Sequence, residues 1–416
     1  DCINIIILLS KFSDQWFSHA RKPRNFIFMN QFSEPEHITI LRNTLRQFID
    51  KEMPREKVNQ WDKDDYFPRD VFDKLCALGV TSLTVPEEYG GSGKDMMATI
   101  AIIEELSTRS LGMASGFIFC ACYAGLNIAE AGSEEQKKEL LPKIAQGKIL
   151  FSYGISEPDV GADVASVRTK AVIDGDEVVI NGTKRWCSGA NVTDYIYTIV
   201  RTGPETDRYR NLSLILIPPK SKGITIEPQQ TLGQKGVGGT CDVTFEDVRV
   251  PLKNIVGGEE GWNNGWSKIV STGLDVEKIE VSALALGIAR AAVEDAWQYS
   301  QERIQFGKPI CHNQAVRHQL AEVKTKLEAC RLMTYQGAWL ADQDVVATVE
   351  MSMSKLFVTE TALEIVLTCQ QILGAYGYVR DFDMERYVRD MLAMPMIGGS
   401  SSIQKNNIAN RLNLPK

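Results

Sequence analysis

A β-hairpin unit between residues 151 and 188 places the strongest constraint on how this chain folds. Two β-branched runs, Val172-Ile173 and Val178-Val179-Ile180, flank Asp174-Gly175-Asp176, whose Asp-Gly step tolerates the positive φ of a tight turn. The segments on either side, residues 151–163 and 181–189, are rich in small and hydroxyl residues and include Trp186. Small residues allow close backbone approach and an indole offers a large face, so the unit favours binding of a flat, redox-active ring.

Length and charge exclude several other classes of protein. A chain of 416 residues exceeds the usual size of one hydrophobic core, so two or three packed units are expected. A net charge of -7 and the lack of a Lys/Arg-rich block argue against a nucleic-acid surface. The nine cysteines form no Cys-x-x-Cys pair and there are only four histidines, so no metal site is predicted. Scattered cysteines favour a reducing compartment.

The first 30 residues carry no clear targeting signal. The apolar run Ile5–Leu9 is too short to span a bilayer, and no basic residue precedes it as in a signal peptide. Basic residues follow between 21 and 24, as in a degenerate organelle presequence, but Asp1 and Asp14 count against one. We expect residues 1–30 to be a non-native or disordered extension. The expected location is the cytoplasm, with the mitochondrial matrix as the alternative and no membrane association.

Periodicity divides the remaining chain into three domains. Residues 31–150 are predicted to be helical, with a capped first turn at Ser33 and a helix that Ser133 caps and Pro142 interrupts. Residues 151–258 are predicted to form a small β-barrel or sandwich, with strands near 195–201, 212–217, 224–228 and 241–250. Residues 259–416 return to long periodic segments, which favour a helical bundle. The fold class is therefore α+β.

Two motifs around the hairpin resemble the flavin-binding middle domain of the acyl-CoA dehydrogenase family. They are Tyr153-Gly154-Ile155-Ser156-Glu157-Pro158, followed by Gly161 and Asp163, and Asn181-Gly182-Thr183-Lys184-Arg185-Trp186-Cys187-Ser188. Matches to the family extend from about Ser33 to Arg411. The resemblance implies a C-terminal four-helix bundle, bound FAD and a homotetramer or homodimer. It also implies oxidation of an acyl-CoA to its 2,3-enoyl form, with electrons passed to an electron-transfer flavoprotein.

The catalytic base of the family has an unusual counterpart in this chain. The base usually lies near the C-terminus, where this sequence has Gly398, which has no side chain to accept a proton. The alternative family position, used in isovaleryl-CoA dehydrogenase, corresponds to Glu277 on the helix that enters the bundle. That helix is rich in apolar residues, so an inward-facing Glu277 would be desolvated and its pKa raised. An exposed helix glutamate is the competing interpretation, and Glu280 shares the helix.

The resemblance also assigns the remaining site residues. The Gly398 backbone N–H, together with a ribityl hydroxyl of FAD, would polarise the thioester carbonyl, and the missing side chain would leave room for short, branched or polar acyl groups. Ser188 would offer its hydroxyl to flavin N5, and Ala162 replaces a serine of the family, so one hydroxyl contact is lost. Further cofactor contacts are implied for one side of the flavin (Tyr153, Ile155, Ser156, Gly161), its ring (Trp186), a neighbouring subunit's FAD (Arg303, Phe306, Gln314, Gln371, Gly374) and the adenosine side (Ser400, Ser402).

Other functions on the same scaffold stay open. An oxidase that reacts with oxygen, or a desulfinase that eliminates without net oxidation, would use a similar site. A non-catalytic flavoprotein or acyl-CoA-binding subunit is the alternative from a different class, because Gly398 cannot act as a base.

Overall fold

The computed structural model describes residues 34–269, 274–343 and 345–415. The chain divides into two compact units, Asp1–Ile40 and Leu41–Lys416, and the candidate site belongs entirely to the second. The expected extension of residues 1–30 and the cap at Ser33 lie outside the described residues.

The N-terminal third is helical, as predicted. Side chains of Asp95 and Ser110 cap two of its helices, and Ser133 forms a capping box with Gln136. A π-helical segment, Ile118–Leu126, joins two of the helices and is almost entirely buried. The helices are α1 (Glu36–Glu52), α2 (Arg55–Asp64), α3 (Arg69–Cys76), α4 (Met96–Ser107), α5 (Leu111–Phe117), α6 (Asn127–Ala131) and α7 (Glu134–Ala145).

The predicted break at Pro142 is wrong, because α7 continues through it to Ala145. A proline in a helix removes one backbone hydrogen bond to the residue four positions earlier. Here it lies in the last turn, where few bonds follow it. Leu140, Leu141 and Ile144 are buried, so their packing stabilises that turn and offsets the lost hydrogen bond.

The middle domain is one curled, seven-stranded sheet. Its order is β1-β4-β2-β3-β7-β6, with β5 paired to β4. The hairpin at its centre is confirmed: Asp174 pairs with Glu177 and Gly175 has a φ of 66°. Apolar side chains of several strands, including Ile180, Ile196 and Val243, form a buried core. The strands are β1 (Phe151–Gly154), β2 (Lys170–Asp174), β3 (Glu177–Ser188), β4 (Tyr195–Arg201), β5 (Leu212–Ile217), β6 (Ile224–Gln229) and β7 (Thr240–Pro251).

The C-terminal part is the expected helical bundle. Helix α9 is buried along most of its length, and it packs against α10, α11 and the N-terminal helix α4. A two-stranded ribbon follows α9 before the chain turns back. The elements are α8 (Gly265–Lys268), α9 (Leu274–Glu302), β8 (Ile304–Gln305), β9 (Lys308–Pro309), α10 (Gln314–Asp342), α11 (Thr348–Leu373), α12 (Met384–Met391) and α13 (Ser401–Arg411).

A buried ion-pair network fixes α9 to the N-terminal domain. Arg290 of α9 donates to Glu104 at 2.6 Å and to Glu105 at 2.7 Å. Arg42 donates to Glu105 at 2.7 Å, and the Tyr335 hydroxyl donates to Glu104 at 2.7 Å. Burial alone would raise the pKa of Glu105, but the arginines lower it to about 2. The network therefore stays charged and holds in place the helix that carries Glu277.

Two helical stretches of the described residues are long and apolar enough to cross a membrane by length and composition alone. They are Leu111–Ala131, whose apolar window is 89% buried, and Thr348–Gly377, whose window is 39% buried. Core helices of soluble proteins pass the same test, so this is weak evidence for a membrane span.

Candidate active site

Glu277 and Gly398 lie side by side, although 120 residues separate them in the sequence. Glu277 is in the first turn of α9, and Gly398 is in the loop before α13. Gly398 has a φ of 59°, and a Cβ built on it would lie 3.8 Å from Cγ of Glu277. A side chain at position 398 and the carboxylate of Glu277 would therefore reach the same point in the site.

The carboxylate of Glu277 is half-buried and has a perturbed pKa. Burial raises this pKa above its ordinary value of 4.5. A hydrogen bond from Tyr123 to Oε1, 3.0 Å long, and the positive charges of Lys355 and Lys278 act in the opposite direction. The direction is the one expected from the apolar helix, and it moves the carboxylate towards the strength of a general base at neutral pH.

Tyr123 is a site residue that the sequence did not reveal. It lies in the π-helical segment, and its ring stacks on Tyr153 with 3.7 Å between ring centroids and 6° between ring planes. The Tyr153 hydroxyl accepts a hydrogen bond of 2.6 Å from Asn127. π-Helical turns occur frequently at functional sites. The only signal in the sequence was a phenol in an otherwise apolar run, which periodicity assigns to the core.

Glu280 is a second buried carboxyl group on the same helix. It is 3% exposed, and burial together with the negative charge of Glu277 raises its pKa to about 8. The Cys122 thiol forms a hydrogen bond with it. At neutral pH, Glu280 is therefore mostly protonated.

The segment after β1 is held by a buried ion pair. Lys184, which is fully buried, donates to Glu157 at 2.9 Å and to the carbonyl of Ile155 at 3.1 Å. Glu157 also accepts the backbone N–H groups of Arg168 (2.7 Å) and Thr169 (2.8 Å). This clamp fixes the backbone around Ile155 and Ser156, two of the residues assigned to the flavin.

A β-bulge brings Trp186 to the same place. The pairing of β3 with β7 shifts between Lys184 and Cys187, and Trp186 in between has a φ of 62°. Its indole is 54% exposed, with the Arg185 guanidinium 4.7 Å from the ring centroid. The Arg185 N–H donates to the carbonyl of Ser156 at 2.8 Å, so the two predicted flavin segments are joined directly.

The surroundings of these segments fit FAD. Gly161 and Ala162 are exposed, and a Cβ at Gly161 would have no neighbour within 4 Å, which leaves the backbone open to a ligand. The Ser188 hydroxyl lies 3.0 Å from that of Thr240 and is half-buried, two residues after Trp186 in the chain. A polar backbone edge next to an exposed aromatic ring matches the chemistry of a flavin ring.

A second group of assigned residues lies far from the first. Helix α9 has 29 residues, so Arg303, just beyond its end, is about 40 Å from Glu277 at the rise of an α-helix. The Arg303 guanidinium lies 5.4 Å from the ring centroid of Tyr376, in the turn that begins at Gly374. Phe306 is 98% exposed in the ribbon after α9. Gln314 and Gln371 are also exposed, at the start of α10 and near the end of α11.

The two serines assigned to the adenosine side begin helix α13. Ser400 caps the helix, accepting the N–H of Ile403 at 3.4 Å, and Ser402 is exposed in the first turn. Buried Gln404 donates to the carbonyls of Gly398 (3.1 Å) and Gly399 (2.9 Å). Gln404 therefore holds the loop that presents Gly398, a role that the sequence did not indicate.

The fold and site define a three-domain flavoenzyme, and comparison with known families agrees. Residues 35–148, 152–248 and 263–413 match, in order, the acyl-CoA dehydrogenase N-terminal, middle and C-terminal domains. The chain belongs to the acyl-CoA dehydrogenase family. It is an FAD-dependent oxidoreductase that acts on the CH–CH bond of an acyl-CoA.

Similar proteins span almost the whole chain. A probable acyl-CoA dehydrogenase, YngJ, of Bacillus subtilis (strain 168) is 34% identical over 374 residues, covering 90% of this chain and 97% of its own. The caffeyl-CoA reductase-Etf complex subunit CarC of Acetobacterium woodii is 32% identical over 379 residues, covering 91% and 98%. The structure of butyryl-CoA dehydrogenase from Megasphaera elsdenii has a TM-score of 0.86 at 28% identity, covering 92% of this chain and 99% of that one.

Proposed function

We propose that this protein oxidises the CoA thioester of a short, branched or polar acyl group to its 2,3-enoyl form, with Glu277 as the base that removes the α-proton. The observation that carries the proposal is the position of Glu277. A carboxylate with a raised pKa lies within side-chain reach of Gly398, the family's usual base position.

The groups around Glu277 support distinct roles in this reaction. Tyr123 occupies Oε1 of the carboxylate, which leaves Oε2 to face the α-carbon. The N–H of Gly398 is the donor assigned to the thioester carbonyl, and a backbone donor does not depend on a side chain. When bound, FAD supplies the acceptor for the hydride that leaves the β-carbon.

The same geometry supports a small acyl group. The stacked rings of Tyr123 and Tyr153 lie directly beside Glu277 and occupy space on that side of the base. On the other side, Cγ2 of Val281 lies 2.9 Å from where a Cβ at Gly398 would stand, so Val281 fills the space that a side chain there would take. A compact or branched acyl chain fits this arrangement better than a long straight one.

Electron-transfer flavoprotein is the proposed redox partner. The relative CarC is named as a subunit of a caffeyl-CoA reductase-Etf complex, which supports this partner. The word reductase in that name also favours a second candidate function, reduction of an enoyl-CoA by the same residues. Both directions require the same base position, because Glu277 would return the α-proton in the reductive direction.

The quaternary state and the location are also proposals. Because Arg303 and its neighbours lie about 40 Å from Glu277 along α9, they would serve the FAD of another subunit in a homotetramer or homodimer. The eight cysteines within the described residues are all free, which supports a reducing compartment. We propose the cytoplasm, with the mitochondrial matrix as the alternative.

Anaerobic flavin bleaching tests the proposed function. Butyryl-, isobutyryl-, isovaleryl- and hydroxybutyryl-CoA would each be added to the purified flavoprotein, and the flavin absorbance followed without oxygen. We expect bleaching by at least one of them, fastest with a short or branched chain. Binding of every thioester without any bleaching, and without reoxidation of reduced flavin by the enoyl-CoAs, would favour a non-catalytic acyl-CoA-binding subunit.

A further inference from the structure

Lys355 is a buried cation that the proposed reaction has not yet used. It lies in the apolar helix α11 and is fully buried, between the buried positions Ser354 and Val358. Its ammonium donates to the carbonyl of Pro395 at 3.1 Å. Among the described residues, no carboxylate lies within ion-pair distance of it. Burying an ammonium group without an ion-pair partner costs folding free energy. We therefore expect this lysine to perform a function in the site.

Lys355 first holds the loop that carries Gly398. The Pro395 carbonyl that Lys355 holds also accepts the N–H of Ser401 at 3.0 Å. Three and four residues further on, Gly398 and Gly399 have φ values of 59° and 79°. Lys355 at one end of this loop and Gln404 at the other fix the direction in which the Gly398 N–H points.

Lys355 also acts on Glu277, because its positive charge lowers the pKa of that carboxyl group. The titratable groups around Glu277 are Tyr123 from the π-helical segment, Tyr153 from β1, Glu280 and Lys278 from its own helix, and Lys355 from α11. Tyr123 has a pKa raised well above its ordinary value by burial and stays neutral. Lys278 forms an ion pair with Asp275, so much of its charge is compensated. Ser354, the residue before Lys355, donates to Ser282 of α9 at 3.3 Å, so this part of α11 lies against the helix that carries Glu277. Glu360 on α11 also attracts Lys355, but of the two lysines Lys355 has the larger effect on Glu277.

We propose that Lys355 is a positioning residue of the reaction, which anchors the Gly398 loop through Pro395 and supplies the positive charge that keeps Glu277 ionised. The inference rests on the proposed role of Glu277. A base must be deprotonated before it can accept the α-proton, and burial of Glu277 favours the protonated form. Burial lowers the pKa of Lys355 to about 8, and the negative charges of Glu277 and, to a smaller extent, Glu360 oppose that shift. Lys355 and Glu277 therefore stabilise each other's charged forms.

Two substitutions separate the two roles. Lys355→Gln keeps a donor for the Pro395 carbonyl but removes the charge, whereas Lys355→Met removes both. Lys278→Gln is the matched control, because it deletes a cation next to Glu277 that Asp275 already compensates. The pH dependence of flavin reduction by the best acyl-CoA would be measured for the three variants and the wild type.

We expect Lys355→Gln to move the acidic limb of the profile to higher pH while the plateau rate changes little. A shift of one pH unit lowers the rate below the limb by about tenfold. Lys355→Met should show the same shift and also a lower plateau, because the loop loses its anchor. Lys278→Gln should shift the limb less. Equal limbs in Lys355→Gln and the wild type would overturn the inference about charge, and equal plateaus in Lys355→Met and Lys355→Gln would overturn the inference about the loop.

A readout without turnover distinguishes failure of this inference from failure of the proposed function. Infrared spectra of carboxyl-labelled protein report protonation of Glu277 directly, with Glu277→Gln used to assign its band. If no acyl-CoA bleaches the flavin, the proposed function fails. The infrared titration still decides whether Glu277 gains its proton at higher pH in Lys355→Gln than in the wild type, as we expect, or at the same pH.

Discussion

Replacing Glu277 with glutamine tests the proposed base most directly. Glutamine has nearly the volume of glutamate, and its amide oxygen can still accept the hydrogen bond that Tyr123 donates to Oε1 at 3.0 Å. The thioester would still meet the Gly398 N–H, so binding should change little. Only the proton acceptor is lost. A general base contributes about two to four orders of magnitude, so the barrier to flavin reduction should rise by about 3–5 kcal/mol.

The assay is anaerobic stopped-flow reduction of the flavin, with substrate binding measured separately. Glu280→Gln is the control, since Glu280 is also buried on α9 but is mostly protonated at neutral pH, with a pKa of about 8. Its substitution should affect the rate far less. The reasoning is refuted if Glu277→Gln reduces the flavin as fast as the wild type while Glu280→Gln does not, because the base would then be Glu280.

The wild-type pH profile provides a second check on the same residue. Burial raises the pKa of Glu277 above 4.5, and only the ionised form accepts a proton. The rate of flavin reduction should therefore be full above this raised pKa and decline as the pH falls through it. The acidic limb should be absent from the residual activity of Glu277→Gln.

Three other regions of the molecule give further predictions. Trp186→Ala should weaken FAD retention by about tenfold, the scale of one lost aromatic contact, in a fluorescence titration; an unchanged affinity would make Trp186 a surface residue without a cofactor role. Lys184→Met should lower the free energy of unfolding by about 3–5 kcal/mol in urea denaturation, because it leaves Glu157 buried without its cation; a loss below about 1 kcal/mol would show that water replaces the pair. Light scattering of the yellow protein should give a dimer or tetramer, and Arg303→Ala should release FAD without a change at Glu277; a monomer with one FAD per chain would contradict the shared cofactor site.

Much of the fold was predictable because its signals are local. The Asp174-Gly175 turn and its flanking β-branched runs specify a hairpin within a few residues, and Ser133 marks the start of α7 with its capping box. The end of α7 was not predictable in the same way. Whether the helix continues past Pro142 depends on how Leu141 and Ile144 pack, and that is tertiary information.

The candidate site also contains residues that local sequence motifs identify and residues that only the tertiary structure reveals. Glu277, Gly398 and Trp186 stand in motifs that a family resemblance identifies. Tyr123 and Lys355 do not, since each is a polar residue in an apolar helix, and what it faces is decided by elements far away in the sequence. The lysine within the apolar run of α11 was still a usable signal of a special position. Lysine is rarely fully buried unless it has a partner, so one at a core position points to a specific interaction.

The convergence of Glu277 and Gly398 explains how a base can move along the sequence without moving in space. The loop and α9 approach each other closely enough that a Cβ at 398 would lie 2.9 Å from Cγ2 of Val281 and 3.8 Å from Cγ of Glu277. A side chain at 398 would thus compete with Val281 and would also strain a residue with a φ of 59°. With glycine there, the loop needs only to present its N–H, while the carboxylate belongs to a helix fixed by the Arg290 network. A base on a rigid helix is positioned more accurately than a base on a loop. With the base on α9 instead of at position 398, the loop polarises the thioester carbonyl and the helix removes the α-proton.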